Sequence, residues 1–230
     1  MRRALPIVLT ACAATSTSTS PAPSPAPEHA HHHQHGGPMH HRFEHADEWA
    51  KKFDDPARDA WQQPERVIAA LELKPDSVVA DVGAGTGYFA MRIAKQVPQG
   101  KVIATDIEPD MVRYLTERAQ REQLPNVEAR LAKEADPGLA PAGVDRILVV
   151  DVWHHLADRK AYAKALAAAL APGGMLAVVD FKLEAEQGPP KQHRLPSEAI
   201  IDDLRSAGLV AEVSATQLPD QYIVVARPRS

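Results

Sequence analysis

Cysteine is almost absent from this sequence: Cys12 is the only one in 230 residues, so no internal disulfide can form. Long apolar runs are absent too. The apolar stretch near the N-terminus, residues 4–11, falls far short of the roughly 20 residues that a helix needs to span a bilayer. An excess of one charge sign is also missing, since 26 Lys and Arg face 30 Asp and Glu for a net charge of −4. No basic stripe appears, so electrostatic capture of nucleic acid is not expected.

What is present divides unevenly along the chain. Arg2 and Arg3 give a basic start, residues 4–11 are apolar, and Leu9-Thr10-Ala11-Cys12 follows. The pattern resembles a bacterial lipoprotein signal over residues 1–12, with cleavage before Cys12 and lipid placed on it. That implies a membrane-anchored chain on the periplasmic or surface side; a chance apolar start and a cytoplasmic location is the other reading. Residues 13–42 are nearly all Ala, Ser, Thr, Pro, His and Gly, a composition that predicts a disordered tether. The rest has a globular composition and enough length for a sizeable core.

Phe43, Ala46, Trp49, Ala50 and Phe53 recur at helical spacing, with Pro56 as an interruption, so residues 43–63 read as a helical cap. Pro64 stands like a first helical residue before Val67, Ile68, Leu71 and Leu73. From there strand and helix patterns alternate. Strands are predicted at 77–82, 101–105, 127–131, 145–150, 175–180, 209–214 and 221–226, the last two antiparallel to each other. Helices are predicted at 88–96, 109–123, 159–170 and 197–207, the last capped by Ser197, with Pro172-Gly173-Gly174 stopping the Ala-rich one. Alternation of this kind predicts an α/β, largely parallel sheet covered by helices on both faces.

Asp81-Val82-Gly83-Ala84-Gly85-Thr86-Gly87 lies between the first strand and its helix. Glycine there lets a ligand approach the backbone closely. The spacing is G-x-G-x-G, not the G-x-G-x-x-G of a dinucleotide fingerprint. Asp81 beside the loop suits a cationic ligand better than a pyrophosphate. Asp106, ending the second strand, is placed to accept both hydroxyls of a ribose.

Residues 79–89 resemble motif I of the class I S-adenosylmethionine-dependent methyltransferases. Thr105-Asp106-Ile107-Glu108 is similar to the motif that follows it, and Leu170-Ala171-Pro172-Gly173-Gly174 to the one before the fifth strand. The resemblance covers about residues 64–227. It implies a Rossmann-like doubly wound sheet of seven strands in the order 3-2-1-4-5-7-6, and S-adenosyl-L-methionine as cofactor. It also implies that Asp81, Gly83, Ala84, Gly85, Gly87 and Tyr88 hold the methionine end, that Asp106 holds the ribose, that Ile107 packs on the adenine, and that Asp151 faces the sulfonium. Many relatives carry Gly-Asp after the third strand, where this chain has Ala132-Lys133; Glu134 or Asp136 could take that place.

The fourth strand runs into Asp151-Val152-Trp153-His154-His155. It lacks the prolines and the aromatic residue common in amino methyltransferases, so the expected acceptor is a small molecule. His154 and His155 are the catalytic candidates, to take a proton from a hydroxyl or thiol or to orient it; both could instead buttress the loop. Trp153, His193 and Arg194 are the substrate candidates. Trp49, Phe53, Arg58 and Trp61 either cover the cofactor site or pack on the flank of the sheet. Eight of the eleven histidines fall at positions 29–45, and His31, His32, His33 and His35 are the candidate ligands for Zn, Cu or Ni. Two other functions stay open at this point: a nicotinamide-dependent oxidoreductase, and a non-catalytic metal-binding lipoprotein that keeps the fold as a scaffold.

Overall fold

The computed structural model describes residues 45–229. The signal and tether at 1–12 and 13–42, with Cys12, His31, His32, His33 and His35, lie outside the described residues, as do the first two residues of the expected cap.

Seven strands form one sheet: β1 (Val78–Val82), β2 (Lys101–Asp106), β3 (Val127–Leu131), β4 (Val144–Val150), β5 (Leu170–Phe181), β6 (Leu209–Val213) and β7 (Gln221–Pro228). Their order is β3-β2-β1-β4-β5-β7-β6, as expected. β1 to β5 pair in parallel, and β7 runs antiparallel to both β5 and β6. Among the described residues, seven α-helices accompany the sheet: α1 (Ala46–Phe53), α2 (Arg58–Gln62), α3 (Pro64–Ala69), α4 (Ala90–Gln96), α5 (Pro109–Arg121), α6 (Arg159–Ala169) and α7 (Ser197–Ser206).

Two apolar layers sandwich the sheet, and the strand period of two sorts residues between them. Leu148, Met175, Ala177 and Val179 face one layer with Ile68 and Leu71, Ile93 of α4 and Leu115 of α5. Ile147, Val149, Leu176 and Val178 face the other, with Leu166 of α6 and Leu204 of α7. The central strands are apolar on successive residues because both faces are covered. Strand order reverses between β1 and β4, so their carboxyl ends diverge and open the crevice in which such sheets bind ligands.

The differences from expectation are local. β5 begins at Leu170, so Pro172-Gly173-Gly174 does not stop a helix; it bulges out of the ladder between the Val144–Leu170 and Arg146–Met175 pairs. α4 starts at Ala90, because Tyr88 and Phe89 complete the turn after the glycine loop. Ser197 is the first residue of α7 and makes no capping bond, whereas Asp158, which the periodicity did not single out, caps α6 by accepting from the Ala161 amide at 2.9 Å.

Candidate functional site

The carboxyl ends of β1 and β2 carry the first half of the site. Gly83 has φ +72, and a Cβ there would overlap Val152 Cγ2 at the end of β4. Gly87 has φ +93, and a Cβ would come within 2.8 Å of Leu115 and 2.9 Å of Met91. Both positions therefore require glycine, one to bring the loop against β4 and the other to seat it on α5. The Gly83 and Ala84 amides donate to the Thr105 carbonyl at 2.8 and 3.0 Å, which ties the loop to β2.

Asp106 ends β2 with its carboxylate across this loop, accepting from the Gly85 amide at 2.8 Å and the Glu108 amide at 3.0 Å. Burial raises its pKa, against the lowering effect of those amides. The neighbouring Ile107 is about half exposed (48%), as is Leu131 (57%), whose backbone pairs with Asp106. An apolar ledge thus borders a carboxylate, the arrangement a nucleoside needs. At Ala132-Lys133 the Ala132 amide donates to the Asp106 carbonyl, and Lys133 bridges backbone-to-backbone with Asp136.

Polar groups left over mark the same place. Among the described residues, the buried side-chain atoms without a hydrogen-bond partner are Asp81 Oδ2, Thr86 Oγ1 and Thr105 Oγ1. All three border the glycine loop. Asp81 is pushed up to about 7, chiefly by burial and despite a bond from the Ala90 amide. A buried carboxylate oxygen without a donor is costly unless a ligand supplies one.

The cap lies over this loop. The Phe53 ring of α1 comes within 3.5 Å of the position a Gly85 Cβ would take. Arg118 of α5 donates to Asp54 at 2.7 Å and to the Thr86 carbonyl at 3.0 Å, joining cap, loop and helix. Arg58 of α2 is inserted deeper. Its guanidinium lies 4.0 Å from the Tyr88 ring centre, donates to the Phe53 carbonyl and to Gln62 Oε1, and comes 3.9 Å from Asp151. Burial lowers the Arg58 pKa, and Asp151 opposes that most strongly.

The second half of the site stands at the ends of β4 and β5. Asp151 adopts φ +59, uncommon for a residue with a side chain. It is pushed up to about 7 by burial and then by Asp180. Its carboxylate ends a buried chain in which Arg58 donates to Gln62, Gln62 to Gln221, and Gln221 to Asp151. His154 sits on the 3-10 turn Trp153–His155, and its Nδ1 is 2.9 and 3.1 Å from the two oxygens of Asp180, which is wholly buried at the end of β5. Burial opposes charging of this imidazole, but the bond to Asp180 and the charges of Asp180 and Asp151 outweigh it and raise its pKa. The His155 ring lies 4.2 Å from that of His154.

The structure therefore brings Asp81, Gly83, Ala84, Gly85, Gly87, Asp106, Ile107, Asp151 and His154 to one end of the sheet. Trp153 is a correction. Its indole is completely buried against α6 and α7 and donates to Asp203 at 3.2 Å, so it anchors the turn and does not line an acceptor pocket. Arg194 is a second correction, because its guanidinium donates to the carbonyls of Pro189, Lys182, Leu183, Ala185 and Gln187 and thereby organises its own loop. His193 belongs to the 3-10 turn of that loop. The Tyr88 side chain is taken up by the cap, between the guanidinium groups of Arg58 and Arg92 with its hydroxyl donating to Asp59.

Sequence reasoning missed Asp180, Gln62 and Gln221. Asp180 had a signal, as a carboxylate closing an apolar parallel strand. Gln221 had none, because only the antiparallel return of β7 sets it opposite Phe181.

A methyltransferase-domain family model matches residues 80–176. Trans-aconitate 2-methyltransferase of Afipia carboxidovorans is 34% identical over 134 residues, 55% of this chain and 46% of that protein. Erythromycin 3''-O-methyltransferase of Saccharopolyspora erythraea is 30% identical over 172 residues, 63% of this chain and 54% of that protein. The chain thus spans about half the length of the curated relatives it matches. The crystal structure of a SAM-dependent methyltransferase from Aquifex aeolicus superposes with a TM-score of 0.72 at 30% identity, covering 78% of this chain and 96% of that one.

Proposed function

This chain belongs to the class I S-adenosylmethionine-dependent methyltransferases, and on that premise we propose that it methylates a small-molecule acceptor with S-adenosyl-L-methionine as donor. The observation that carries the reading is the set of unpartnered buried atoms around the glycine loop, Asp81 Oδ2 foremost. The residues fit the cofactor. Its ammonium would give Asp81 the donor it lacks, its ribose hydroxyls have Asp106 as acceptor, and its adenine has Ile107 as an apolar face. When bound, the cofactor supplies an electrophilic methyl group. The chain's part is to hold donor and acceptor in line and to keep water out, the latter through Phe53 and the cap.

The two relatives quoted above are named for small-molecule acceptors, and the absence of a basic stripe argues in the same direction. An NAD-dependent activity is disfavoured by Asp81 and by the glycine spacing. Calorimetric titration of the full chain with S-adenosylmethionine, S-adenosylhomocysteine and NAD tests the proposal. The first two are expected to bind and NAD is not; binding of NAD alone would overturn it, and binding of none would favour a scaffold role.

For location, the reading supported by Arg2-Arg3, the apolar residues 4–11 and Leu9-Thr10-Ala11-Cys12 is a chain anchored by lipid on Cys12. Cys12→Ser is then expected to move the protein from the membrane fraction to the soluble one, and an unchanged distribution would refute the anchor. The tract containing His31, His32, His33 and His35 has the composition of a loose Zn, Cu or Ni site. Zinc titration of the full chain against a variant with these four changed to Ala should show the wild type binding more metal; equal uptake would remove the assignment.

A further inference from the structure

Two of the curated relatives, those quoted above, are named for acceptors of different chemistry. One is named for trans-aconitate, which offers carboxylates, and the other for a 3''-oxygen of erythromycin. The end of β5 bears on which kind this chain takes. Asp180 is fully buried, and its two oxygens lie 2.9 and 3.1 Å from His154 Nδ1. A carboxylate in that position selects the tautomer with hydrogen on Nδ1 and leaves Nε2 with its lone pair, a proton acceptor whose ring cannot easily turn. The turn carrying His154 is itself pinned, since Trp153 donates to Asp203 and Arg159 donates to the same oxygen at 2.8 Å.

A carboxylate acceptor is already ionised at neutral pH and needs no such base. A hydroxyl or thiol must lose its proton as it attacks. We propose that His154, held by Asp180 as a positioning residue, is the general base for an un-ionised hydroxyl or thiol acceptor. The proposal rests on the methyltransferase reading above. In the step, the acceptor's proton passes to His154 Nε2, the new bond to the methyl carbon uses the acceptor's own electron pair, the sulfur–methyl bond breaks with its pair left on sulfur, and His154 later returns the proton to solvent.

The groups facing His154 are Asp180 from β5, Asp151 from the end of β4 and His155 on its own turn, with Arg58 of α2 beside Asp151. The buried carboxylate of Asp180 that supports a protonated His154 disfavours a carboxylate acceptor.

The test has two arms, both on the full chain. In the first, methyl incorporation from labelled S-adenosylmethionine is followed with 4-methylphenol, 2-mercaptoethanol and trans-aconitate, in wild type, His154→Gln and Asp180→Asn. Methylation of the phenol or the thiol is expected, falling roughly 100-fold or more in kcat for His154→Gln, with donor affinity unchanged by calorimetry. Methylation of trans-aconitate that His154→Gln leaves intact would overturn the proposal. The second arm needs no acceptor: the His154 imidazole is titrated by NMR in wild type and in Asp180→Asn. The midpoint should move to lower pH in the variant, and an unmoved midpoint would overturn the role of Asp180. Failure of the wild type to bind the donor at all would instead sink the methyltransferase reading itself.

Discussion

At the scale of single residues, the site is built from carboxylates that resist ionisation in the free protein. Asp81 and Asp151 are both pushed up to about 7 by burial. A carboxyl group whose folded-state pKa lies above its unfolded value favours the folded state at low pH, and that contribution is lost as pH rises from about 4 to about 7. Asp81→Asn is therefore expected to raise the melting temperature at pH 8, by roughly 2–4 °C per kcal/mol recovered, with little gain at pH 4.5. Thermal melts at both pH values measure this, and an equal gain at both would contradict the cause assigned to Asp81. The same variant should bind S-adenosylmethionine more weakly, because the proton it no longer releases leaves no charge for the ammonium. Asp106→Ala should cost roughly 10- to 100-fold in donor affinity, the worth of a hydrogen bond to a charged group; calorimetry showing unchanged affinity would remove its ribose role. Asp81 and Asp106 could be read in the sequence because each stands at the carboxyl end of an apolar strand. Gln62 could not, since its partner on β7 is 159 positions away.

Among the elements, strands and helices were legible to within a few residues wherever the apolar period was clean, as in β3, found as expected at Val127–Leu131. Boundaries slipped where long-range pairing competed with local signals. Pro172-Gly173-Gly174 reads locally as a stop, but the ladder to β4 continues across it. The cap was legible as helix, although its two halves are joined to different partners. α1 is tied to α5 through Asp47 with Arg113 at 3.1 Å and through the Ala46 amide with Asp110 at 2.6 Å. α2 is tied to the sheet through Gln62 and Gln221, which are almost completely buried. Gln221→Ala would strip Gln62 and Asp151 of a partner at once. A loss of roughly 1–3 kcal/mol in stability is expected, read from urea unfolding, together with faster amide exchange in α2. A variant as stable as wild type would show that the chain of amides contributes little to holding the cap.

For the whole molecule, burial is divided unequally. β1 and β4 are buried along most of their lengths, whereas α1 buries only Ala46 and α2 only Gln62. Elements with few buried contacts open at lower free energy than the global transition. Hydrogen exchange should therefore be faster in α1 and α2 than in β1 and β4, and S-adenosylhomocysteine should slow it in the cap. Uniform protection across these elements would contradict a separately opening cap. One feature of the cap has a mechanical side. α1 is the first described element after residues 1–44, and its far end sets Phe53 on the glycine loop. Because α1 buries only Ala46, whose amide donates to Asp110, the helix is fixed at its first residue and reaches over the loop with its last. Loss of the Ala46–Asp110 bond would therefore loosen Phe53 over the glycine loop, at the far end of the same helix, before it disturbed the sheet.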